Sequence, residues 1–522
     1  MRSMQIALLT LATALSAGTL EAQRAGEPVF PFSTEERYDP SRIAPYRGTH
    51  DAIYRHIDAN LEAHLGNIQR WLRQPSISAQ SVGISEMAIM LRDDLRALGF
   101  QEAEVVPTKG HPGVWGYYNA GAPRTLVIYM MYDVQPVEDN WRVPPFAAEL
   151  VETEHGQAVM ARGATNQKGP ERAFLNALSS IIAVDGKLPV NLMVLAEGEE
   201  ELGSPNYPEL VDRYEARLRT ADGVFFPFNA QAPDGSIAMS LGVKGILYME
   251  LESRGGSWGG PTQAEIHGSF KAIVDAPAWR LTQALASMTS RDGNTILVPN
   301  YYDGIRPPTF EEQRLVNALA AQNREAGLMR AFGLERFIDG LSGRELLVRE
   351  YYHPTLNING ISSGYAGEGA KTILPHRAVA KVDSRLPMGI SSDSAMARIR
   401  RHLDAQGFSD IIIRQLSGYP AAQTSVEAPL IQSALSVYRK YGITPTVSPR
   451  LAGSAPFYQF TERLGLPLLF SGMGYGTGAH APNEFMLVRP KSGSRVAGLA
   501  EIEKSYVDLL FALRGASTRP RR

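Results

Sequence analysis

The chain has 522 residues, of which 44% are hydrophobic and 20% are charged, and it carries a net charge of −2. This is long enough to bury a large core in two or three domains, and the balanced charge does not indicate a nucleic-acid partner. No cysteine is present, which excludes disulfides, thiolate chemistry and thiolate metal ligands, so any metal ligands must be His, Asp or Glu.

The first 22 residues have the pattern of a secretory signal peptide. Arg2 provides a basic start, residues 6–20 are apolar or small, and Leu20, Glu21 and Ala22 fit a cleavage site. We expect a mature chain that begins near Gln23 and is periplasmic or secreted, with an uncleaved anchor as the alternative. No later stretch approaches the length of a membrane span, so the mature chain is expected to have no membrane partner.

The first folded part of the chain follows a Pro-rich, polar N-terminal arm over residues 23–50. Apolar residues at spacings of three and four predict amphipathic helices over 51–73 and 87–98. The following segments are predicted to be strand, strand, loop, helix and strand, at residues 114–119, 125–133, 163–170, 171–184 and 190–197. This order is typical of a doubly wound α/β sheet.

The pattern changes between residue 245 and about residue 414 and then returns. Predicted strands over 246–251 and 379–386 flank predicted helices over 278–288, 311–326 and 392–406. The α/β pattern resumes near residue 418. The fold class is therefore predicted as a doubly wound, mostly parallel α/β sheet over residues 51–244 and 418–522, with an α+β domain inserted at 245–417.

A cluster of carboxylates follows the predicted strand 190–197. Glu197, Glu199, Glu200 and Glu201 lie within five residues, and Gly203 and Ser204 come next. Ligands of open α/β sheets bind beyond the carboxyl ends of the strands, so the cluster is a candidate functional site. A solvated acidic turn is the alternative interpretation.

Seven motifs resemble one known family of hydrolases. They occur in chain order at 132–136 (YDVQP), 162–165 (RGAT), 197–204, 265–268 (EIHG), 367–375, 453–456 and 478–484 (GAHAPNE). The chain resembles the dizinc exopeptidases and amidohydrolases that include carnosine dipeptidase, succinyl-diaminopimelate desuccinylase and aminoacylase. The resemblance extends from about residue 52 to residue 513. It implies that the inserted domain is a lid that also mediates dimerisation.

The resemblance also implies a two-zinc centre, and this chain departs from it at three ligand positions. Met131 stands at the position of a histidine, Asn166 at that of the bridging aspartate, and Phe228 at that of an acidic residue. Methionine sulfur is a soft donor that replaces imidazole poorly on zinc, asparagine cannot bridge two dications, and phenylalanine offers no donor. The remaining family ligands are Glu201 and His480.

We therefore expect no intact metal site and no cofactor. If only the cations were lost, the Asp ligands would leave buried negative charge without compensation, which is costly. Loss of the ligands together with the cations avoids this cost, as expected for a site adapted to work without metal. The alternative is a rearranged site for one zinc ion, held by Glu201, His480 and either Asn166 or Asp133.

The resemblance assigns the remaining functional roles. Glu200 matches the general base. His267 matches a histidine of the inserted domain that reaches the partner subunit's site and binds the carbonyl oxygen, which implies a homodimer. The expected acid–base groups beside them are Glu201 and His480.

The candidate substrate-binding residues are Asp133, Asn166, Phe228, Tyr352, His353, Gly453 and Ser454. Gly453 and Ser454 lie where the family binds substrate. Tyr352 and His353 stand where many relatives carry an arginine for the substrate carboxylate. Lys168 and Arg172 are interpreted either as groups that neutralise the acids or as surface residues.

The leading hypothesis is an exported hydrolase of a peptide-like or N-acyl amide bond that works without metal, with Glu200 activating water and His267 polarising the carbonyl group. The substrate is expected to be a small amide or a short peptide. A conventional metallopeptidase with one zinc ion is one alternative. A non-catalytic protein that binds a peptide or an acyl-amino acid is the other.

Overall fold

The computed structural model of the protein describes residues 26–516. The predicted signal peptide and the first residues of the arm lie outside this part. The first described residues of the arm contact the inserted domain, where the Asn317 amide donates to the carbonyl oxygens of Thr34 and Glu36 at 2.9 Å each. Pro40–Arg42 then form one turn of 3-10 helix, and the Tyr46 N–H donates to the Ser436 carbonyl oxygen at 2.8 Å. No helix within residues 26–516 is both long enough and apolar enough to cross a membrane.

The part of the chain before the inserted domain alternates helices and strands. In chain order its elements are α1 (Asp51–Ala59), α2 (Leu61–Arg73), α3 (Ile84–Ala97), β1 (Glu102–Val106), β2 (Gly113–Tyr118), β3 (Thr125–Met131), β4 (Glu149–Thr153), β5 (Gly156–Met160), α4 (Lys168–Asp185), β6 (Asn191–Glu197), α5 (Tyr207–Leu218), β7 (Gly223–Pro227), β8 (Ala238–Ser240) and β9 (Gly242–Val243).

The inserted domain begins with a long strand. Its elements are β10 (Gly245–Arg254), β11 (Ile266–His267), α6 (Pro277–Ser287), α7 (Phe310–Ala320), α8 (Glu325–Phe332), α9 (Gly343–Tyr352), β12 (Asn357–Ser363), β13 (Ile373–Leu374), β14 (Arg377–Leu386), α10 (Ser392–Ala405) and β15 (Ile412–Tyr419). The chain then closes with β16 (Ala422–Gln423), α11 (Pro429–Lys440), β17 (Thr446–Ser448), β18 (Leu468–Ser471), β19 (Gly476–Thr477), β20 (Phe485–Pro490) and α12 (Leu499–Gly515).

The central sheet has the strand order β1-β2-β6-β3-β7-β18. Strands β6, β3, β7 and β18 are parallel, and β1 and β2 pair antiparallel at one edge. Helices cover both faces, so all seven residues of β6 are buried: Val194 packs in one core with α2, α4 and α12, and Leu195 packs in the other with α5. This explains the uninterrupted apolar run and confirms the predicted fold class.

The inserted domain contains a separate antiparallel sheet with the order β12-β14-β10-β15. Helices α6 and α10 pack on one face of it around Leu247, Met249 and Val382. Leu315 of α7 instead belongs to the main core, so this helix joins the inserted stretch to the doubly wound α/β part of the chain. The lid sheet continues to Tyr419, two residues beyond the predicted boundary at 417, and the division into domains stays a prediction.

Three local predictions differ from the structure. The helix expected over 51–73 is divided into α1 and α2 at Asn60, whose side-chain amide donates to the His56 carbonyl and competes with the helical backbone pattern. The helix expected over 311–326 is divided near Asn323, which has a φ of +48°. A small sheet with the order β19-β20-β5-β4 was not predicted.

Candidate active site

Asp133 fixes the acidic turn, which we define as the single turn of 3-10 helix Glu200–Leu202 beyond the end of β6. Asp133 is buried just beyond the neighbouring parallel strand β3, and its two carboxylate oxygens accept the backbone N–H groups of Glu200 and Glu201 at 3.1 Å each. Burial raises the pKa of Asp133 to about 7, while the two N–H donors favour its ionised form. Asp133 therefore orients both glutamates through their backbone.

The side chain of Glu201 is surrounded by hydrogen-bond donors. The Gln135 amide donates to one carboxylate oxygen at 2.7 Å, and the Asn166 amide donates to the other at 2.7 Å. Nε2 of His480 lies 3.1 Å from the oxygen that Gln135 contacts. Glu201 is almost fully buried, so these three groups provide the polar contacts that water would otherwise make.

His480 is best described as a donor to Glu201. Its Nε2 atom also lies 3.2 Å from the Asn166 amide nitrogen, but one ring nitrogen cannot donate to a carboxylate and accept from an amide at once. The hydrogen bond to Glu201 raises the pKa of His480, which favours the protonated ring and the bond to Glu201. The His480 side chain is 58% exposed, so its proton can exchange with solvent.

Glu484 holds the loop that carries Asn166. One of its carboxylate oxygens accepts the backbone N–H groups of Thr165 and Asn166 at 2.9 Å each, and the other accepts from the Gly163 N–H at 3.0 Å and from Arg162 at 2.9 Å. This buried carboxylate therefore connects the late loop that contains His480 to the loop that contains Asn166.

Glu200 differs from the other acids of the site. Within residues 26–516 its carboxylate has no hydrogen-bond partner. Burial, and then the charges of Glu201 and Asp133, raise the pKa of Glu200 well above its usual range. The side chain lines a cavity, so a carboxyl group that readily binds a proton faces a space that a ligand can enter.

This cavity has a volume of about 500 Å³, and we call it the aromatic cavity. It brings together five of the candidate site residues, Met131 and a group of aromatic side chains. The candidates in its lining are Asn166, Glu200, Phe228, Gly453 and Ser454, and the further aromatic residues are Phe226, Phe457 and Phe470. The three positions that depart from the two-zinc pattern thus converge on one space beside Glu200.

Two further buried acids lie behind the acidic turn. Glu197 accepts hydrogen bonds from Tyr129 at 2.6 Å and Ser204 at 2.9 Å, and burial raises its pKa to about 8. Glu171 accepts the backbone N–H of Met131 at 2.8 Å, and burial raises its pKa well above the usual range. Burial therefore disfavours the ionised form of both groups.

Lys168 and Arg172 are buried and are not surface residues. The Lys168 ammonium donates to the carbonyl oxygens of Trp71 at 3.3 Å and Gln74 at 2.6 Å. Arg172 lies 3.7 Å from Asp94. Within residues 26–516 neither donates a hydrogen bond to an acid of the site, and their contacts join α4 to α2 and α3.

Three candidate residues belong neither to the cavity lining nor to the hydrogen-bond network around Glu201 in this chain. Tyr352 is buried in a separate cluster with Val316 and Leu347, and His353 is buried beside it at the end of α9. Neither is placed to bind a substrate carboxylate in the cavity. His267 is exposed on β11 of the inserted domain, where its Nδ1 accepts the backbone N–H of Ser269 at 3.2 Å.

The sequence reasoning did not single out several groups that shape the site. Gln135 lies within the 132–136 motif, two residues after Asp133, and this position could have indicated that its side chain lies near the site. Glu171 belongs to the first turn of α4, directly after the 162–165 loop. Tyr419 of β15 had no sequence signal; its ring stacks on that of Tyr458 at 6.0 Å, and burial, followed by the charge of Glu200, raises its pKa.

Comparison with known proteins places this geometry in a family. Residues 127–494 match the sequence profile of peptidase family M20/M25/M40, which is more than half of the chain. The chain belongs to this family. The predicted family resemblance and the prediction of a peptide-bond hydrolase are therefore confirmed at the level of the family.

Individual M20 relatives match along most of the chain. The Cys-Gly metallodipeptidase DUG1 of Candida albicans is 27% identical over 484 residues, which cover 87% of this chain and 95% of the relative. The Beta-Ala-His dipeptidase of Rattus norvegicus is 27% identical over 384 residues, covering 69% and 75%. The solved structure of the M20 family metallo-carboxypeptidase Sso-CP2 from Sulfolobus solfataricus has a TM-score of 0.74 and 31% identity, and the match covers 86% of this chain and 98% of that one.

Two of these relatives are named as metal-dependent enzymes, a metallodipeptidase and a metallo-carboxypeptidase, but the residues of this chain do not fit a two-zinc centre. Met131 and Phe228 pack in an apolar cluster, where a metal ion would have no suitable donor from them. The Asn166 amide directs its N–H group, not its oxygen, at Glu201. The Glu201 carboxylate, which has about four lone-pair sites, already accepts from three N–H donors.

The role of Glu484 in holding the site can be tested through stability. In Glu484→Gln, one carboxylate oxygen becomes an NH₂ group that faces N–H donors and Arg162, and the buried guanidinium loses its charge partner. We expect the free energy of unfolding to fall by about 3–5 kcal/mol, measured by urea denaturation. The control Glu154→Gln, at a side chain that is 86% exposed, should change it by less than about 0.5 kcal/mol. Equal effects of the two substitutions would contradict this role.

Proposed function

We propose that the protein is an exported M20 hydrolase of an amide bond in a short peptide or an N-acyl amino acid, and that it works without a bound metal ion. The observation that carries this proposal is the different treatment of two adjacent glutamates. Glu201 is held by two amides and His480, whereas the carboxylate of Glu200 has no partner among the described residues and faces the cavity.

Glu200 is proposed as the general base. A water molecule attacks the carbonyl carbon of the scissile amide while the Glu200 carboxylate takes one of its protons. The C–O bond forms, and the electron pair of the carbonyl group moves to its oxygen. The protonated Glu200 then gives its proton to the amide nitrogen, the C–N bond breaks, and a carboxylic acid and an amine are released. In total, one amide and one water molecule are consumed, and one carboxylic acid and one amine are formed.

His267 is proposed to stabilise the oxyanion in the site of the partner subunit. Because its Nδ1 accepts a backbone N–H, the proton of the neutral ring is on Nε2, the nitrogen that is left to donate outward. A single oxyanion donor contributes on the order of 3 kcal/mol and requires no metal. The ring is exposed in its own chain, which supports action on a neighbouring subunit.

The dimer would form through the inserted domain. Strand β12 lies at the edge of the lid sheet, and Ile358 and Ile361 on it are 47% and 57% exposed. An exposed apolar edge strand is a favourable surface for pairing with a second copy. The proposed location, the periplasm or the outside of the cell, is supported by the signal-like first 22 residues, which lie outside the described part of the chain.

The second candidate function is a one-zinc metallopeptidase, which the names of the M20 relatives favour. Its ligands would be Glu201 and His480 with Asn166 or Asp133. Both oxygens of Asp133 already accept backbone N–H groups, and the Asn166 amide presents its nitrogen to Glu201. A zinc ion would therefore require the loss of hydrogen bonds that position the acidic turn.

Metal content distinguishes the two candidates. Protein purified without chelator should contain well under one zinc ion per chain by elemental mass spectrometry, and its activity should survive dialysis against a chelator. The matched positive control is the triple variant Met131→His, Asn166→Asp, Phe228→Asp, which restores the family ligand types and should retain zinc. Stoichiometric zinc in the unmodified protein, with activity lost on chelation, would support the second candidate instead.

Removal of the base should abolish turnover without unfolding the protein. For Glu200→Gln we expect kcat to fall by about 10²–10⁴-fold on a dipeptide or N-acyl amino acid identified by screening, because the amide cannot accept the proton of water. Substrate affinity and the melting temperature should change little. The exposed Glu86→Gln variant is the control and should keep full activity. Full activity of Glu200→Gln would exclude the mechanism. If the wild-type protein bound these compounds but hydrolysed none of them, it would instead be a non-catalytic binding protein.

Mixed dimers test the trans role of His267. Homodimers of Glu200→Gln and of His267→Ala should both be inactive. A heterodimer of the two variants combines the Glu200 of one subunit with the His267 of the other in one intact site, so it should recover about half of the wild-type activity. An inactive heterodimer, or a monomer by light scattering, would remove His267 from the proposed mechanism.

A further inference from the structure

The aromatic cavity has a continuous aromatic wall. The Phe226 ring lies 6.2 Å from those of Phe228 and Phe457, and the Phe457 ring lies 5.0 Å from that of Phe470. Phe226 and Phe470 are paired residues on the parallel strands β7 and β18. The wall is therefore built where these strands end, on the side of the sheet from which Glu200 also projects.

Two of the residues at lost ligand positions belong to this wall. Met131 packs in the same buried cluster as Phe226 and Phe457, and Phe228 packs against that cluster. The side chains that replace a histidine and an acidic residue of the resembled two-zinc pattern are thus apolar neighbours of one cavity. Both replacements remove a side chain that could bind a cation and add apolar surface that an apolar group can contact.

The size and charge of the cavity restrict what it can hold. A protein cavity of about 150 Å³ binds benzene, so about 500 Å³ leaves room for a phenyl ring and the adjoining backbone. Among its described lining residues Glu200 is the only ionisable one. An anionic group would find no opposite charge in this lining. A cationic group could pair only with Glu200, where it would compete with the proton that Glu200 must accept.

We propose that this cavity binds an uncharged apolar group of the substrate, of phenyl size or larger, adjoining the scissile amide. The inference rests on the proposed function for its reaction but concerns binding, which can be measured separately. Removal of an apolar group from water is favourable in proportion to its area. Glu200, Asn166 and Ser454 on the lining leave polar groups for the amide itself.

Binding of matched dipeptides tests the proposal. The probes are Phe-Gly, Gly-Phe, Ala-Gly, Gly-Ala, Lys-Gly and Asp-Gly, titrated by calorimetry into full-length mature Glu200→Gln protein so that no turnover occurs. At least one phenyl-containing probe should bind at least tenfold more tightly than its alanine counterpart, and the charged probes should bind no better than the alanine ones. Equal affinities for phenyl and alanine probes, preference for a charged probe, or no measurable binding would overturn the proposal.

A filled cavity should lose this preference. Ala238 is exposed on β8 and lines the cavity, so Ala238→Trp places a large side chain in the space and should reduce the phenyl preference to less than twofold. The matched control Ala326→Trp, on the exposed surface of α8, should retain it. Phe228→Ser, which makes the wall polar, is a second variant and should lower the preference at least fivefold. Preference that survives in a folded cavity variant would overturn the assignment.

Turnover separates the two proposals. If the wild-type protein binds the phenyl probe preferentially but hydrolyses none of the dipeptides, the cavity assignment stands and the proposed function fails. If it hydrolyses the dipeptides with equal kcat/KM for phenyl and alanine members, the function stands and the cavity assignment fails.

Discussion

The constraint on which the site depends is the clustering of carboxyl groups in a region with little water. Asp133, Glu171, Glu197, Glu200 and Glu201 lie at or behind the carboxyl ends of two parallel strands. In a two-metal enzyme, dications would offset such charge. Here burial raises the pKa values of four of them, and hydrogen bonds to N–H or O–H groups stabilise all but Glu200.

The replacement of Asp by Asn at a bridging position has two consequences in such a cluster. It removes one negative charge, and it supplies an N–H donor for the carboxylate that remains. The Asn166 amide does this for Glu201, and Gln135 and His480 complete the contacts. Simple loss of a metal ion would have left Glu201 buried without a partner, at a cost of several kcal/mol. The network is therefore consistent with the proposed function without a bound metal ion.

The sequence predicted the parts of the site that lie close together in the chain or at known motif positions. The strand periods placed Asp133 and the acidic turn at adjacent strand ends, and the motif positions placed Asn166, Gly453 and His480 with them. The aromatic wall could not be predicted, because Phe226, Phe457 and Phe470 are distant in sequence and have ordinary apolar surroundings. Tyr352 and His353 were assigned because they stand where many relatives carry an arginine, but both are buried at the end of α9 and neither lines the aromatic cavity.

The loss of zinc ligands and the origin of the aromatic cavity follow from the same residues. Phe228 affects both the chemistry and the binding of a ligand, because it places apolar surface next to Glu200 in the cavity. Apolar surroundings disfavour the ionised form of a carboxyl group, which increases its affinity for the proton of an attacking water. Under the proposed mechanism, an apolar substrate group that excludes water from the cavity would strengthen this effect on Glu200, whereas a small or polar group would leave the carboxylate solvated and a weaker base.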